Sequence, residues 1–305
     1  MEPARRGAIC GLLAAASFGI SAPIAKRLLA EASPLMLVPL LYFGGGLALG
    51  LARLVCRPGG SREAALTAAD WPALAATVFL GGLLGPVLML AGLARVSAVA
   101  ASLWLNLEAP FTMLVAIVVF REHLGWAEMR AIGCIVAGAI VLSGATLAPG
   151  HDPGGAMALA AACLCWAVDN NLTQRLSLRD PFAVARWKTM ATAVAGGTVA
   201  LAVGSPVPGA SVVCAALALG AVSYGVSIVL DIYALRLIGA AREAAYFATA
   251  PFFGAAFAVV LLEEELGVLE MGAAVVMALG VLLLARTRHG HLHLHEPITH
   301  AHQHV

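Results

Sequence analysis

Four ionisable side chains interrupt long apolar runs: Glu108, Asp169, Lys188 and Asp231. A charge placed at the centre of a bilayer costs about 2.5–3.5 kcal/mol on insertion scales, so such groups face a cavity or a partner and serve function. Three acids and a base within a membrane can bind a charged solute, hand on a proton, or pair with one another. Asp169 lies about six residues, some 9 Å, from the end of its run, and Lys188 about five residues, some 7.5 Å, into the next. They are therefore almost level on neighbouring runs. One reading is a fixed ion pair; the other is a cavity pair that exchanges partners as the protein works. Burial of such a pair is weak evidence for stability in either case.

Glu108 lies about ten residues into its run and has no sequence partner at its depth. It is the candidate for a proton-carrying group, with a permanent hydrogen bond to a neighbouring helix as the alternative. Trp104, Glu108 and Thr112 share a face at i, i+4 and i+8. Asp169, Asn170 and Asn171 make an unusually polar string, but three adjacent residues sweep about 200° of helix, so at least one must act as glue between helices. Gly220, Tyr224, Ser227 and Asp231, spaced 4, 3 and 4, fit one stripe of a cavity-lining helix or of a hydrogen-bonded helix contact.

The elements that hold these residues follow from composition. The chain is 61% apolar and 11% charged, with mean hydropathy +0.92, against about 45–50% and about 25% for soluble domains. An integral membrane protein follows. Ten apolar runs are long enough to span, at 7–25, 34–52, 72–93, 98–120, 127–146, 155–175, 183–203, 211–235, 243–262 and 268–286. The first is too long for a cleaved signal peptide. Abundant Gly and Ala allow close helix packing. The six cysteines show no ligand spacing, no basic patch suits nucleic acid, and there is no nucleotide loop of the form GxxxxGK[ST]. Fifteen of the eighteen Lys and Arg fall on one side when the N-terminus is placed in the cytoplasm, which sets both termini inside.

The chain also repeats itself. Residues 93–142 echo 235–284: Pro110-Phe111 answers Pro251-Phe252, Leu124-Gly125 answers Leu266-Gly267, Glu128-Met129 answers Glu270-Met271, and Gly138 answers Gly280. Phe18, Arg27 and Leu28 answer Trp166, Arg175 and Leu176. Five spans per copy is an odd number, so the second copy is inverted and a site is expected at the midplane between them. The fold expected is an all-α polytopic membrane protein of ten transmembrane helices in two inverted five-helix repeats, residues 1–150 and 151–288, followed by a tail over 289–305. Pro110 and Pro251 occupy matching sites and predict matched helix kinks. The departures between copies, with Glu108 opposite Thr249 and Asp169 opposite Ser21, are the better guide to what is bound.

This arrangement resembles the drug/metabolite transporter superfamily, EamA type, over residues 7–286. Within that family the string Trp166, Asp169, Asn170, Asn171, Leu172 resembles a known variant. The resemblance implies a secondary active transporter, an exporter of small metabolites or drugs, working by alternating access across the plasma membrane (the bacterial inner membrane), and not an enzyme. Its partners would be a small-molecule solute and the lipid bilayer, with a homodimer kept open. The intramembrane acids are scattered over three helices without His or Cys, which argues against catalysis. No cofactor is required. The tail carries His289, His291, His293, His295, His300, His302 and His304, and imidazole suits Zn, Ni and Co. The alternative is therefore a transition-metal carrier or a metal-regulated transporter, against a tail that only solvates.

Overall fold

The computed structural model describes residues 3–55, 64–120, 125–146, 153–174, 176 and 179–286. Their regular structure is helical, with one isolated bridge joining Ala64 to Arg179. In the first half the α-helices are α1 Pro3–Gly19, α2 Ser21–Leu28, α3 Pro34–Val55, α4 Trp71–Thr77, α5 Gly85–Leu93, α6 Ala98–Trp104, α7 Glu108–Phe120 and α8 Trp126–Thr146. In the second they are α9 Pro153–Gln174, α10 Pro181–Ala202, α11 Ala210–Gly220, α12 Ser227–Ile238, α13 Ala240–Phe247, α14 Ala250–Leu262 and α15 Val268–Arg286.

Several of these are pieces of one long rod. Eight continuous helical stretches are long and apolar enough to cross a membrane: Pro3–Leu28, Pro34–Leu54, Ala68–Leu93, Ala98–Val119, Trp126–Gly144, Ala210–Ile238, Arg242–Leu262 and Val268–Arg286. Helices α9 and α10 have 22 residues each. They stand outside those eight because Asp169, Asn170 and Asn171 interrupt one and Arg186 and Lys188 the other.

Where a rod is interrupted, the interruptions match between halves. A π segment, Val78–Leu84, joins α4 to α5, and another, Ala221–Val226, joins α11 to α12. A π turn carries one extra residue per turn and frees a carbonyl from the helical ladder. The rod over α6 and α7 breaks through the 3₁₀ turn Leu105–Leu107 just before Pro110. That over α13 and α14 breaks at Ala248 and Thr249 just before Pro251. Proline lacks the N–H that would bond back across each break, and it is tolerated in the first turn that follows.

The halves meet through reciprocal contacts. A Cβ on Gly138 would lie 2.5 Å from Met277 Cγ and 3.0 Å from the Ala273 carbonyl; one on Gly280 would lie 2.7 Å from Ile135 Cγ1 and 2.8 Å from the Ala131 carbonyl. At the repeat offset of 142, Gly138 maps to Gly280, Ile135 to Met277 and Ala131 to Ala273. Each glycine thus meets the counterparts of what the other meets, and the pairing order makes α8 and α15 antiparallel. The same relation joins Gly155 to Arg95 and Val96, and Gly7 to Leu237 and Ile238. Only a missing side chain lets these backbones approach so closely.

The contacts also define two ends. Gly7, Leu237 and Ile238 mark the end where α1 begins, called here the near end. Gly155, Arg95 and Val96 mark the far end. The main buried cluster runs across both halves, with Leu37, Leu90, Leu103, Leu159 and Met277 at its centre.

Candidate functional site

Two cavities lie inside the bundle. Cavity 1, about 410 Å³, is lined by Phe18, Ser102, Glu108, Asn170, Asp231 and Glu243 among others. Cavity 2, about 460 Å³, is lined by Tyr42, Trp166, Asp169, Lys188 and Tyr224 among others, and shares Phe18 with cavity 1. Both extend from the middle of the molecule toward the near end, cavity 1 to Glu243 and Leu284 and cavity 2 to Gln174 and Leu235.

Phe18 and Trp166, the repeat counterparts, occupy matching places. Each rests on the π segment of the half it does not belong to. The Phe18 ring meets Tyr224 edge-on at 5.9 Å between centroids, and it lies 5.5 Å from Phe247. Trp166 Nε1 donates to the Gly81 carbonyl at 3.0 Å, and the Tyr42 hydroxyl donates to the same oxygen at 3.2 Å. A π turn leaves its carbonyl free for such side-chain donors.

Asp169 and Lys188 meet in cavity 2. Lys188 Nζ lies 2.5 Å from Asp169 Oδ2, and Thr173 Oγ1 donates to Asp169 Oδ1 at 3.4 Å. The two side chains are 6% and 22% exposed, the lysine being the one more open to the cavity. Gly81 makes room for this pair, because a Cβ there would strike the Asp169 carboxylate.

Glu108 opens α7 and faces cavity 1. Its Oε1 accepts from Asn170 Nδ2 at 2.7 Å, a partner the sequence did not reveal. The neighbouring Asn171 turns the other way: its Nδ2 donates to the Thr112 and Ala167 carbonyls at 3.0 and 2.8 Å and so joins α9 to α7. The polar string therefore divides among cavity 2, cavity 1 and a helix contact.

The stripe expected on the eighth span divides as well. Tyr224 lines cavity 2, Ser227 donates to the Ala14 carbonyl at 2.9 Å and joins α12 to α1, and Asp231 lines cavity 1. The π segment shifts the helical phase between Gly220 and Ser227, so a spacing counted at 3.6 residues per turn does not hold one face there. Trp104 ends α6 and packs in the main buried cluster, 8% exposed, and lines neither cavity. The 3₁₀ turn that follows it breaks its register with Glu108.

Glu243 stands at the start of the ninth span, directly after Arg242. Its side chain hydrogen-bonds Asp231. Asp231 Oδ1 is buried and has no hydrogen-bond partner among the described residues. The signal available in the sequence was that the two acids stand at the facing ends of consecutive spans.

At the far end, segments of both halves are tied together. Glu264 accepts from the backbone N–H of Ala98 and Val99 at 2.8 Å each, capping the start of α6. Lys26 Nζ lies 3.7 Å from the same carboxylate and donates to the Leu93 and Val96 carbonyls. Arg27 donates to the Leu261 carbonyl. At the near end, Asp180 caps α10 through Phe182 N–H and Ala183 N–H and pairs with Arg53 at 2.6 Å. Partial burial opposes the Asp180 charge, but Arg53 and the two amides outweigh it and hold the carboxyl below its ordinary range. Asp70 pairs with Arg179 at 2.9 Å.

The tail histidines His289, His291, His293, His295, His300, His302 and His304 lie outside the described residues. Among the described residues no three His, Cys, Asp or Glu side chains gather as a metal site.

Comparison with known proteins adds the following. Residues 5–144 and 153–286 match the EamA-like transporter family. A protein of Methanothermobacter thermautotrophicus described as an uncharacterized transporter is 30% identical over 299 residues, covering 91% of this chain and 85% of that one. A solved crystal structure of a protein 20% identical in sequence superposes with a TM-score of 0.66, over 92% of this chain and 98% of the other, which shows a shared fold.

Proposed function

Since the chain belongs to the EamA-like transporter family, a family of multi-pass membrane proteins, we propose that it is a secondary transporter that carries small metabolites or drugs by alternating access. In this reading α9 and α10 also cross the bilayer, giving ten spans in two inverted halves. The antiparallel, reciprocal meeting of Gly138 with Met277 and of Gly280 with Ile135 supports that inversion. Both termini lie in the cytoplasm of a bacterial plasma membrane, as the excess of Arg and Lys on that side argues. The near end is then cytoplasmic, the conformer is inward-open, and export is the net direction.

The observation that carries the reading is the asymmetry of access. Both cavities extend toward one end, while Lys26, Glu264 and the start of α6 close the other. A carrier must hold one such state and its inverse, and two halves related by a two-fold can exchange roles to provide both. Matched π segments and matched breaks before Pro110 and Pro251 give each half the same bendable points. With no nucleotide loop in the sequence, an ion gradient or the solute's own gradient drives movement.

Purified protein in liposomes loaded with a solute mixture tests this. Counterflow, in which internal solute accelerates uptake of labelled external solute, is expected. Solute flux without counterflow would indicate a channel, and no flux of any solute tried under any imposed gradient would remove the transporter reading.

A further inference from the structure

We infer that cavity 1 is a binding site for a small amphiphilic organic cation, held by the Asp231–Glu243 carboxyl pair together with Glu108. This rests on the transporter reading and names the solute class that this cavity selects.

The lining carries three carboxyl groups and no Lys, Arg or His among the described residues. Glu108 is part-satisfied by the Asn170 amide. Asp231 and Glu243 hydrogen-bond to each other, which brings two carboxyl groups together on one wall. A buried negative charge is costly unless a cation joins it. The rest of the wall is apolar and aromatic: Phe18, Leu105, Met113 and Phe247. An ammonium group set against the carboxyls gains charge-assisted hydrogen bonds. Phe18 and Phe247, 5.5 Å apart, offer ring faces to the cation and apolar surface to its hydrocarbon body.

Two further polar atoms point to a ligand. Ser102 is 1% exposed and lines the cavity, and its hydroxyl has no hydrogen-bond partner among the described residues. Asp231 Oδ1 is likewise buried and unpartnered. Buried polar atoms are almost always satisfied in a working state, so a ligand that donates at one end and packs along the wall explains both. An inorganic ion fits less well, because no third ligand closes on the pair to complete a coordination shell. A cavity of about 410 Å³ also holds far more than an ion. Cavity 2 differs in kind: of its two cationic lining residues, Lys188 is matched to Asp169 and Arg179 to Asp70.

The test is equilibrium binding to the purified full chain in lipid nanodiscs, with no gradient imposed. Three probes of one shape are compared: 2-phenylethylammonium, 2-phenylethanol and 3-phenylpropionate. The ammonium is expected to bind at least about tenfold tighter than the alcohol, with the carboxylate weakest. The double change Asp231→Asn with Glu243→Gln, which leaves neither member of the pair to ionise, is expected to reduce that preference strongly while leaving the alcohol unchanged. Should that variant not fold, the three-probe comparison on the unaltered chain decides alone. Equal affinity for ammonium and alcohol, or preference for the carboxylate, overturns the inference. Because binding is read without transport, selective cation binding without counterflow would sink the transporter reading and leave the site, whereas counterflow without cation preference would do the reverse.

Discussion

Lys26 and Glu264 stand 3.7 Å apart and belong to opposite halves of the chain. The lysine lies in the last turn of the first helical stretch of the first half, and the glutamate precedes the last helix of the second. Between them lies the start of α6, whose first amides the glutamate caps. One carboxylate therefore holds three segments together at the far end. A negative charge at a helix N-terminus is also favoured by the helix dipole.

Glu264→Gln keeps one acceptor and removes the charge. With caps and dipole contacts worth about 1 kcal/mol each, the far-end-open population should rise about fivefold. The check is the labelling rate of a cysteine placed at Ser102 by a thiol reagent applied from the far side. A rate unchanged by the substitution would show that the glutamate does not hold the gate.

Replacing Lys188 with Met leaves Asp169 buried without its partner, and a stability loss of about 3–5 kcal/mol is expected. The double change Lys188→Met with Asp169→Asn should recover most of it. Thermal unfolding in detergent measures both. Equal losses in the single and double variants would mean that the pair is not the source of the cost.

Gly138 and Gly280 are exchanged by the approximate two-fold, so the same substitution should cost the same at both. Leu at either position forces α8 and α15 apart, at about 1–3 kcal/mol. Unfolding temperatures of the two single variants should fall by similar amounts; one neutral and one severe variant would contradict the reciprocal contact.

Asp180 caps α10 and pairs with Arg53, and its carboxyl is held below the ordinary range. A depressed folded-state value gives stability that is present above the unfolded value and lost as the pH falls through the folded one. Asp180→Ala should therefore cost about 1 kcal/mol at neutral pH. That difference should shrink on acidification below the ordinary carboxylate range. A difference that persists at low pH would assign the effect to packing.

The helical stretches were legible because about twenty apolar residues in a row have few other uses, and eight of them reappear as apolar helices of spanning length. The neighbourhood of Asp169 and Lys188 was legible because depth along two consecutive helices is simple arithmetic. The local turns were not. A π segment has no residue signature comparable to a proline, so the phase shift between Gly220 and Ser227 could not be counted from spacing. Glu243 lies at the very start of its apolar run, and only the way the ninth span meets α12 sets it beside Asp231. Glu264 bonds to Ala98 and Val99, residues more than 160 positions away in the chain, and such a contact leaves no local pattern to read. The Asn170 bond to Glu108 spans 62 positions and likewise depends on how α9 lies against α7.

The most direct test of alternating access is to fasten the far end. With cysteines at positions 26 and 264 in a chain otherwise free of cysteine, a short, reductively cleavable bifunctional thiol reagent should join them in the conformer described here. Counterflow in liposomes should then stop, and it should return when the link is cleaved. Counterflow that continues at full rate through the linked protein would contradict the account.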